Sequence, residues 1–404
     1  MIVTITRMGA QGDAIADVEA LFAAYALPGE RVEGVREKDR LHVERILEAS
    51  AERVEPECLH FGRCGGCLLQ HWRNDAVAAW KRQVVRDELA RQGLKVEVAP
   101  LLDAHGAGRR RVIFHARQSG PRTLVGFAQR RSHVMVPIEM CPVLAPALDR
   151  ALDACRAVAQ ALAPLAKPLD LQVTATESGL DMDVRGSGPL PPLLAMDLAA
   201  IAERLGLARL TRHGELVIQR AAPFLTMGMA QVELPPGGFL QATAEGEACL
   251  AQLVVAGVAG ARKVADLFCG VGTFALRLAA NARVVALETS APAVAALKRA
   301  SERTPGLKAV DAQVRDLFRR PLLASELKGF EAVVIDPPRQ GAETQAAELA
   351  RSVVPRLVYV SCSPTTFARD AARLVQGGYR LERVTPVDQF RYSPHVEVVG
   401  LFIR

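Results

Sequence analysis

The sequence has no apolar segment long enough to cross a membrane, because no uncharged apolar run reaches the roughly 18 residues that a bilayer requires. Its N-terminus lacks the basic, apolar and small residues that follow one another in a signal peptide. It contains no internal repeat and no low-complexity tract. These absences predict a cytoplasmic protein that does not associate with membranes. Its eight cysteines are then expected to be metal, cluster or catalytic residues rather than disulfides.

The composition bounds the architecture and the kind of partner. A chain of 404 residues, half of them apolar, is long enough for two or three domains with their own cores. The net charge of +6 is compatible with a polyanionic partner but does not require one. Arginines gather between residues 109 and 131, where they suit phosphate contacts as well as a solvated face.

Residues 1–52 have the pattern of a small β-barrel. Short alternating segments are separated by turn residues such as Pro28 and Gly29. The predicted strands cover residues 2–7, 14–18, 21–26, 31–36 and 41–47. Small barrels of this kind often bind nucleic acid, although a β appendage that packs on its neighbour would look the same.

Three cysteines follow in the spacing C-x5-C-x2-C, as Cys58, Cys64 and Cys67. Three thiolates in one glycine-containing loop repel one another unless a cation lies among them, which predicts a metal or iron–sulfur centre. Cys141 is the predicted fourth ligand, because Cys followed by Pro recurs at iron–sulfur sites. Spacing leaves zinc and an iron–sulfur cluster equally open, with His60 and His71 as further zinc ligands. A C-x2-C redox pair is a weaker alternative.

Residues 53–236 are predicted to form a mixed α+β central domain. Residues 74–94 read as a helix whose apolar face contains Val77, Val85 and Leu89, with Lys81 and Arg86 on the opposite, polar face. The glycines and prolines at 235–238 mark the boundary to the last domain.

Residues 237–404 alternate apolar strands with helices rich in Ala and Leu. The predicted strands cover residues 264–268, 284–287, 309–314, 332–335 and 357–360. This alternation predicts a doubly wound parallel sheet, whose carboxyl edge is the usual place for a small-molecule site. Five side chains fall beside these strand ends: Phe268, Glu288, Asp316, Asp336 and Cys362.

A glycine-rich turn follows the first of these strands. Gly270 and Gly272 belong to a G-x-G-x-x-A pattern that ends at Ala275, and Glu288 beyond the second strand suits a ribose diol. NAD and S-adenosylmethionine both contain an adenosine ribose, so these residues do not distinguish a dehydrogenase from a methyltransferase. Asp336-Pro-Pro is followed by Arg339 rather than by the aromatic residue expected in amino methyltransferases, which favours carbon methylation.

Cys362 and Glu397 together suit methylation at C5 of uracil. C5 is a poor nucleophile, but a thiolate that adds to C6 produces an enolate whose C5 can take a methyl group. A base must then remove the C5 proton, and Glu397 is the candidate. A buried structural cysteine and a glutamate that faces water are the alternatives.

The sequence resembles the RNA uracil-5-methyltransferase family over nearly its whole length. Ala26 to Glu30 and Arg53 to Cys58 are similar to the RNA-binding TRAM barrel of that family and its exit. Asp266 to Gly272 resembles the methyl-donor motif, residues 361–364 the nucleophile motif and His395 to Glu397 the motif of the base. The sequence departs from the family at Ser363, where Asn is usual, at Arg391, where Pro is common, and in the helix after Glu288.

The resemblance implies an α/β protein with an N-terminal TRAM-like or OB-like barrel (1–52), a central domain (53–236) and a C-terminal Rossmann-like methyltransferase sheet (237–404). It implies Cys362 as nucleophile and Glu397 as base. The implied cofactors are S-adenosylmethionine and a [4Fe-4S] cluster. The cofactor-binding residues would be Gln241, Phe268, Gly270, Gly272, Glu288, Asp316 and Asp336, and the cluster ligands Cys58, Cys64, Cys67 and Cys141.

The barrel and the cluster together imply action on 23S rRNA without an obligate protein partner. The target uridine would be flipped out of its stack into the pocket. A tRNA methyltransferase, an amino or cytosine methyltransferase, and a non-catalytic RNA-binding assembly factor are the alternatives.

Overall fold

The computed structural model describes residues 1–18, 21–120 and 122–404, and it begins with a closed barrel. The barrel places its five strands in the order β1-β2-β3-β5-β4, and alternate residues such as Val3, Ile5 and Val32 fill its interior. Its strands are β1 (Ile2–Met8), β2 (Ala14–Ala16), β3 (Phe22–Ala23), β4 (Arg31–Glu37) and β5 (Arg40–Glu48). Among the described residues, no helix has the length and hydropathy needed to span a bilayer.

The first long helix, α1 (Asn74–Arg91), packs against the C-terminal part of the molecule. Part of the face that was predicted to be polar is buried in this contact. Val85 and Leu89 join the same apolar cluster as Phe402. Lys81 is wholly buried, and its Nζ lies 2.6 Å from Oδ2 of Asp388. The prediction that Lys81 faces solvent is therefore wrong, because an acid of a distant strand satisfies its charge.

The central region contains a seven-stranded sheet in the order β13-β12-β11-β10-β7-β8-β9. Its strands pair antiparallel except for β11 and β12, and two helices pack against it. The elements after α1 are β6 (Leu102–Asp103), β7 (Arg111–Ser119), β8 (Arg122–Ala128), β9 (Met135–Pro137), α2 (Ala151–Ala161), β10 (Leu169–Thr176), β11 (Gly179–Arg185), α3 (Pro192–Leu205), β12 (Arg209–Arg212) and β13 (Glu215–Gln219). Single 3-10 turns occur at Pro146–Leu148 and Ala163–Leu165. A hairpin of β14 (Phe224–Met227) and β15 (Ala230–Glu233) follows.

The C-terminal region is an eight-stranded sheet in the order β18-β17-β16-β19-β20-β22-β21-β6. The first five strands in this order are parallel, whereas β22 runs antiparallel to both of its neighbours. The elements are α4 (Ala244–Gly257), β16 (Lys263–Leu267), α5 (Ala275–Leu278), β17 (Arg283–Glu288), α6 (Ala291–Arg303), β18 (Val310–Val314), β19 (Ala332–Ile335), α7 (Glu343–Arg351), β20 (Arg356–Ser361), α8 (Pro364–Gln376), β21 (Arg380–Asp388) and β22 (Glu397–Ile403).

The predicted fold class is confirmed. The five predicted parallel strands occur within one or two residues of their expected limits. Four of them are buried apolar runs, whereas the edge strand β18 buries only Ala312. The antiparallel β21 and β22 were not predicted, and they bring Glu397 to the edge of the sheet. Residues 74–103 pack on the C-terminal sheet although they precede the central one. The domain limits at residues 52 and 236 stay predictions.

Candidate active site

Cys362 and Glu397 come from adjacent strands at one edge of the C-terminal sheet. The antiparallel ladder of β20 and β22 ends with Ser361 opposite Val398, so the next pair in the same register is Cys362 and Glu397. Opposed residues of an antiparallel pair have Cβ atoms about 4.5–5.5 Å apart. Local sequence patterns cannot reveal this register, because the two residues are 35 positions apart.

The Cys362 thiol lies between opposing electrostatic influences. Burial raises its pKa to about 11, and the carboxyl groups of Glu397 and Asp336 act in the same direction. Arg339 acts against them. Cys362 also precedes Ser363, the residue that caps the N-terminus of α8, where the helix dipole favours a thiolate. The Ser363 hydroxyl accepts a hydrogen bond from the amide of Thr366, a role that serine and asparagine both fill at helix N-termini.

The Glu397 carboxyl group is buried, with 3% of the residue exposed, so it does not face water. Burial raises its pKa to about 8, and the carboxyl group of Asp336 adds to that shift. A hydrogen bond of 3.0 Å from Nε2 of Gln389 favours the ionised form. A carboxyl group with a pKa in this range is suited to accept a proton near neutral pH.

Asp336 and Gln241 meet beside this pair. Nε2 of Gln241 donates to Oδ2 of Asp336 over 3.2 Å, and both side chains are largely withdrawn from solvent. Burial raises the pKa of Asp336 to about 7, although the bond from Gln241 opposes the shift. Gln241 and Asp336, both predicted to bind the cofactor, therefore lie next to the predicted reaction centre.

The turn after β16 forms a cradle with little side-chain bulk. Gly270 and Gly272 have φ values of +55° and +100°, which favour glycine. A Cβ at Gly272 would come within 2.4 Å of Leu297, so close packing adds a second reason for glycine there. Glu288 at the end of β17 accepts hydrogen bonds from the amides of Gly270 and Ser290, which places its carboxylate at the mouth of the turn.

Asp266 of β16 lies beneath this cradle and has the most isolated carboxyl group of the described residues. It is fully buried, and neither oxygen has a side-chain hydrogen-bond partner among the described residues. Burial raises its pKa well above the usual value, and the charge of Asp336 adds to the shift. The motif contains Asp266, but nothing in the local sequence pattern indicates that its carboxyl group is buried.

Phe268 and Asp316 are connected only through Phe318 among the contacts of the described residues. Phe268 has a φ of +63°, and its ring lies 5.3 Å from that of Phe318, centroid to centroid. Asp316 accepts hydrogen bonds from the amides of Phe318 and Arg319 and so fixes the turn that presents the Phe318 ring. Asp316 thereby organises its own loop, and the structure assigns it no contact with the other predicted donor residues.

A buried ion-pair cluster that the sequence analysis did not anticipate links this site to the central region. Glu247 of α4 pairs with Arg110, which precedes β7, and with Arg277 of α5 at 2.7 Å. Arg110 also donates to the carbonyl of Gln241, and Arg277 to that of Thr273. The cluster therefore fixes the two loops that flank the glycine-rich turn.

The four predicted cysteine ligands line one cavity of about 270 Å³. Burial raises the pKa of Cys67 to about 11 and that of Cys141 to about 12, and the other thiols add to both shifts. The guanidinium group of Arg109 lies on the same cavity. Within residues 1–18, 21–120 and 122–404, however, no three or more Cys, His, Asp or Glu side chains are arranged to hold a metal ion.

The two histidines near this cavity have other surroundings. Nε2 of His60 accepts a hydrogen bond from the amide of Glu139 over 3.2 Å. His71 is buried against Tyr25 and Phe61, and burial lowers its pKa to about 4. Both positions are compatible with packing roles.

Comparison with known proteins places this site in a family. The family model described as tRNA (Uracil-5-)-methyltransferase matches residues 237–404. An uncharacterised RNA methyltransferase of Brucella suis biovar 1 (strain 1330) is 47% identical over 404 residues, which cover 100% of this chain and 97% of the relative. The 23S rRNA (uracil(1939)-C(5))-methyltransferase of Chromohalobacter salexigens is 34% identical over 406 residues, covering 96% of this chain and 85% of the relative.

A solved structure gives the same architecture. The tRNA (uracil-54, C5)-methyltransferase of Pyrococcus abyssi, in complex with S-adenosyl-L-homocysteine, superposes with a TM-score of 0.76 over 100% of both chains at 21% identity. The fold and the site thus define an RNA methyltransferase. More particularly, the chain belongs to the RNA uracil-5-methyltransferase family.

Proposed function

We propose that this protein transfers a methyl group from S-adenosylmethionine to C5 of one uridine in 23S rRNA. The observation that carries this proposal is the register of β20 and β22, whose ladder ends with Ser361 opposite Val398 and so brings Cys362 and Glu397 to the same end of the two paired strands. The relative from Chromohalobacter salexigens supports 23S rRNA as the substrate, because its name describes a methyltransferase that acts on uracil in 23S rRNA. An RNA substrate of this kind is consistent with the cytoplasm as the place of action.

The reaction would proceed in three steps, namely addition of a thiolate, methyl transfer and elimination. The thiolate of Cys362 bonds to C6 of uracil, and the C5–C6 π electrons move to form an enolate. C5 then bonds to the methyl group as the bond between methyl and sulfur breaks, and the electron pair stays on that sulfur. Glu397 takes the C5 proton, the C5–C6 double bond re-forms, and the Cys362 thiolate leaves.

The cradle around the glycine-rich turn fits the methyl donor. S-adenosylmethionine supplies a methyl group on a positively charged sulfur. Gly270 and Gly272 leave room for its close approach, and Glu288 presents a carboxylate suited to the ribose hydroxyls. Gln241 and Asp336 lie between this turn and Cys362, and Phe268 borders it. Asp316 would act indirectly, by holding Phe318 against Phe268.

We infer that Cys58, Cys64, Cys67 and Cys141 hold a [4Fe-4S] cluster. Four thiols on one cavity are the donor set that such a cluster uses. One zinc ion, held by the same thiols at about 2.3 Å from a single point, is the alternative. No step above transfers an electron, so the role of the cluster would be structural or in RNA docking.

The barrel of residues 1–52 is the proposed RNA-binding domain. Arg130 and Arg131 of the central region, whose domain is proposed to span residues 53–236, both pair with Asp13 of the barrel. These ion pairs hold the barrel beside the cysteine cavity, because Cys64 forms a β-bridge with Gln129. The methyltransferase domain (237–404) would then receive a flipped uridine from RNA bound alongside.

Methyl transfer in vitro tests the proposal. Purified protein with S-adenosylmethionine and 23S rRNA fragments is expected to produce 5-methyluridine, which mass spectrometry of digested RNA identifies. Cys362→Ala should lower the rate at least about 10³-fold, since it removes the nucleophile. Cys249→Ala, which changes a half-exposed cysteine of α4, is the matched control. Undiminished transfer by Cys362→Ala would refute the covalent mechanism.

A tRNA substrate is the second candidate, because the matching family model is described by tRNA and the similar solved structure acts on tRNA. Mapping 5-methyluridine in rRNA and tRNA from cells with and without this protein separates the two. Loss of the modification from tRNA alone would overturn the choice of 23S rRNA. Donor binding without transfer to either RNA would favour a non-catalytic assembly factor.

A further inference from the structure

Gln389 occupies the junction between the proposed base and the proposed donor residues. It directly follows β21, and only 1% of the residue is exposed. A buried carboxamide must satisfy two donors and one oxygen, so its partners define its orientation. Gln389 cannot be singled out from the sequence, because a glutamine beside an apolar strand has no distinctive pattern.

The orientation of the Gln389 carboxamide is fixed by the backbone. Its Oε1 accepts from the amide of Ala242 at 2.8 Å and from that of Thr243 at 3.4 Å. Backbone amides donate and never accept, so the oxygen must face them and the NH₂ group must face the other way. That NH₂ group donates to Oε1 of Glu397 at 3.0 Å and to Oε1 of Gln241 at 2.7 Å.

Gln389 thereby also fixes Gln241. Because the oxygen of Gln241 accepts from Gln389, its own NH₂ group is directed to Oδ2 of Asp336. An unbroken chain of side-chain hydrogen bonds runs from Glu397 through Gln389 and Gln241 to Asp336. Gln389 and Gln241, in the middle of this chain, are buried and have their hydrogen-bonding groups paired. The chain therefore has one favoured arrangement of its side chains.

We propose that Gln389 is a positioning residue. It orients the Glu397 carboxylate toward the reaction centre and holds Gln241 in the orientation that binds the methyl donor. This inference rests on the proposed function. The charged and titratable groups that surround Glu397 are Asp336, Arg339 and Cys362. Of these, the carboxyl group of Asp336 opposes ionisation of Glu397 and Arg339 favours it. The hydrogen bond from Gln389 therefore adds to the influence of Arg339 in keeping Glu397 able to accept a proton.

The test replaces Gln389 with Met, which has a similar length and volume but donates no hydrogen bond. Gln345→Met is the matched control. Gln345 is also 1% exposed, and its carboxamide is bonded to the backbone of Leu322, away from the candidate active site. Each variant is assayed on uridine RNA over a range of pH and on the same RNA that contains 5-fluorouridine. Fluorine at C5 cannot leave as a proton, so that substrate traps the covalent adduct without needing the base.

We expect Gln389→Met to lower turnover on uridine RNA about 10- to 100-fold at pH 7.5, less than the roughly 10²- to 10⁴-fold that loss of the base itself would cost. The acid side of its pH profile should move upward by about one unit, because Glu397 loses a hydrogen bond that favours its ionised form. The apparent KM for S-adenosylmethionine should rise about 5-fold through Gln241. Trapping on 5-fluorouridine RNA with saturating donor should stay within about 3-fold of the wild type, and Gln345→Met should match the wild type throughout.

Two results would overturn the proposal. One is a Gln389→Met profile that coincides with that of Gln345→Met. The other is a parallel loss of trapping and turnover, which would show a general disturbance of the site. Failure of the proposed function would show in the wild-type protein itself. It would either leave uridine unmodified, or modify uridine without forming a trapped adduct on 5-fluorouridine RNA. If uridine is modified without trapping, the shift of the pH profile of Gln389→Met still decides the role of Gln389.

Discussion

The protein contains two thiol sites, the cysteine cavity and Cys362, that are buried to a similar extent but have different neighbours. In the cysteine cavity, burial and the neighbouring thiols raise the pKa of Cys67 to about 11 and that of Cys141 to about 12. At the sheet edge, burial and the carboxyl groups of Glu397 and Asp336 raise the pKa of Cys362 to about 11. Both environments hold the free thiol protonated at neutral pH, so each needs a positive charge to form a thiolate.

The source of that positive charge distinguishes the two sites. Thiols that share a cavity with one another suit metal ions, whose charge is permanent once they are bound. Cys362 has Arg339 and the N-terminus of α8 nearby, and the sulfonium of the proposed donor would add a charge that disappears with each methyl transfer. The carboxyl groups of Glu397 and Asp336 oppose formation of the Cys362 thiolate. In the proposed mechanism one of them, Glu397, is also the base, which explains why an acid lies beside the nucleophile.

The largest expected effect breaks the pairing of Cys362 with its acid. Glu397→Gln keeps the shape and the acceptor for Gln389 but cannot take the C5 proton, so turnover should fall about 10²- to 10⁴-fold. The adduct should accumulate as a protein–RNA complex that survives denaturing electrophoresis. Glu326→Gln, which changes an acid paired with Arg315 on the surface, is the control. Turnover within about 3-fold of the wild type would exclude Glu397 as the base.

The sequence was sufficient for the parallel half of the site, whose residues follow buried apolar strands. Phe268, Glu288 and Asp336 could be placed at one edge because parallel strands end at the same edge. The antiparallel half depends on long-range pairing, and nothing local in the sequence specifies that β22 inserts between β20 and β21. Lys81 was misjudged for the same reason, since its partner Asp388 is 307 residues away.

The second effect concerns the cysteine cavity. Protein purified without oxygen should contain roughly four iron and four sulfide per chain, and Cys141→Ala should contain less than about one of each, because a cluster ligand is lost. Cys155→Ala, which changes a fully buried cysteine of α2, should keep the wild-type content. Iron and sulfide analysis measures both. Stoichiometric zinc without sulfide in the wild type would overturn the cluster assignment.

The third effect is the dependence of the rate on pH. The pKa of Glu397 is raised from its usual 4.5 to about 8, so its ionised fraction grows about ten-fold per pH unit below 8 and levels off above it. We expect single-turnover methyl transfer to rise with pH between 6.5 and 8 for this reason. The residual rate of Glu397→Gln should keep only the rise that comes from ionisation of the Cys362 thiol, whose pKa of about 11 lies above this interval. A wild-type rate that is flat over this interval would contradict the role of a buried acid.

The smallest effect tests the positive charge beside Cys362. Arg339 is exposed and favours the ionised forms of both Cys362 and Glu397. Exposed charges interact weakly through solvent, so Arg339→Met should slow transfer only about two- to five-fold at pH 7.5. The loss should shrink toward pH 9.5, where Glu397 is ionised with or without Arg339. Arg319→Met changes an arginine that is also exposed, outside this pair, and should have no pH-dependent effect. A loss for Arg339→Met that does not shrink with pH would show that Arg339 contacts RNA, and measuring both variants at low and high salt would then separate phosphate binding from ionisation.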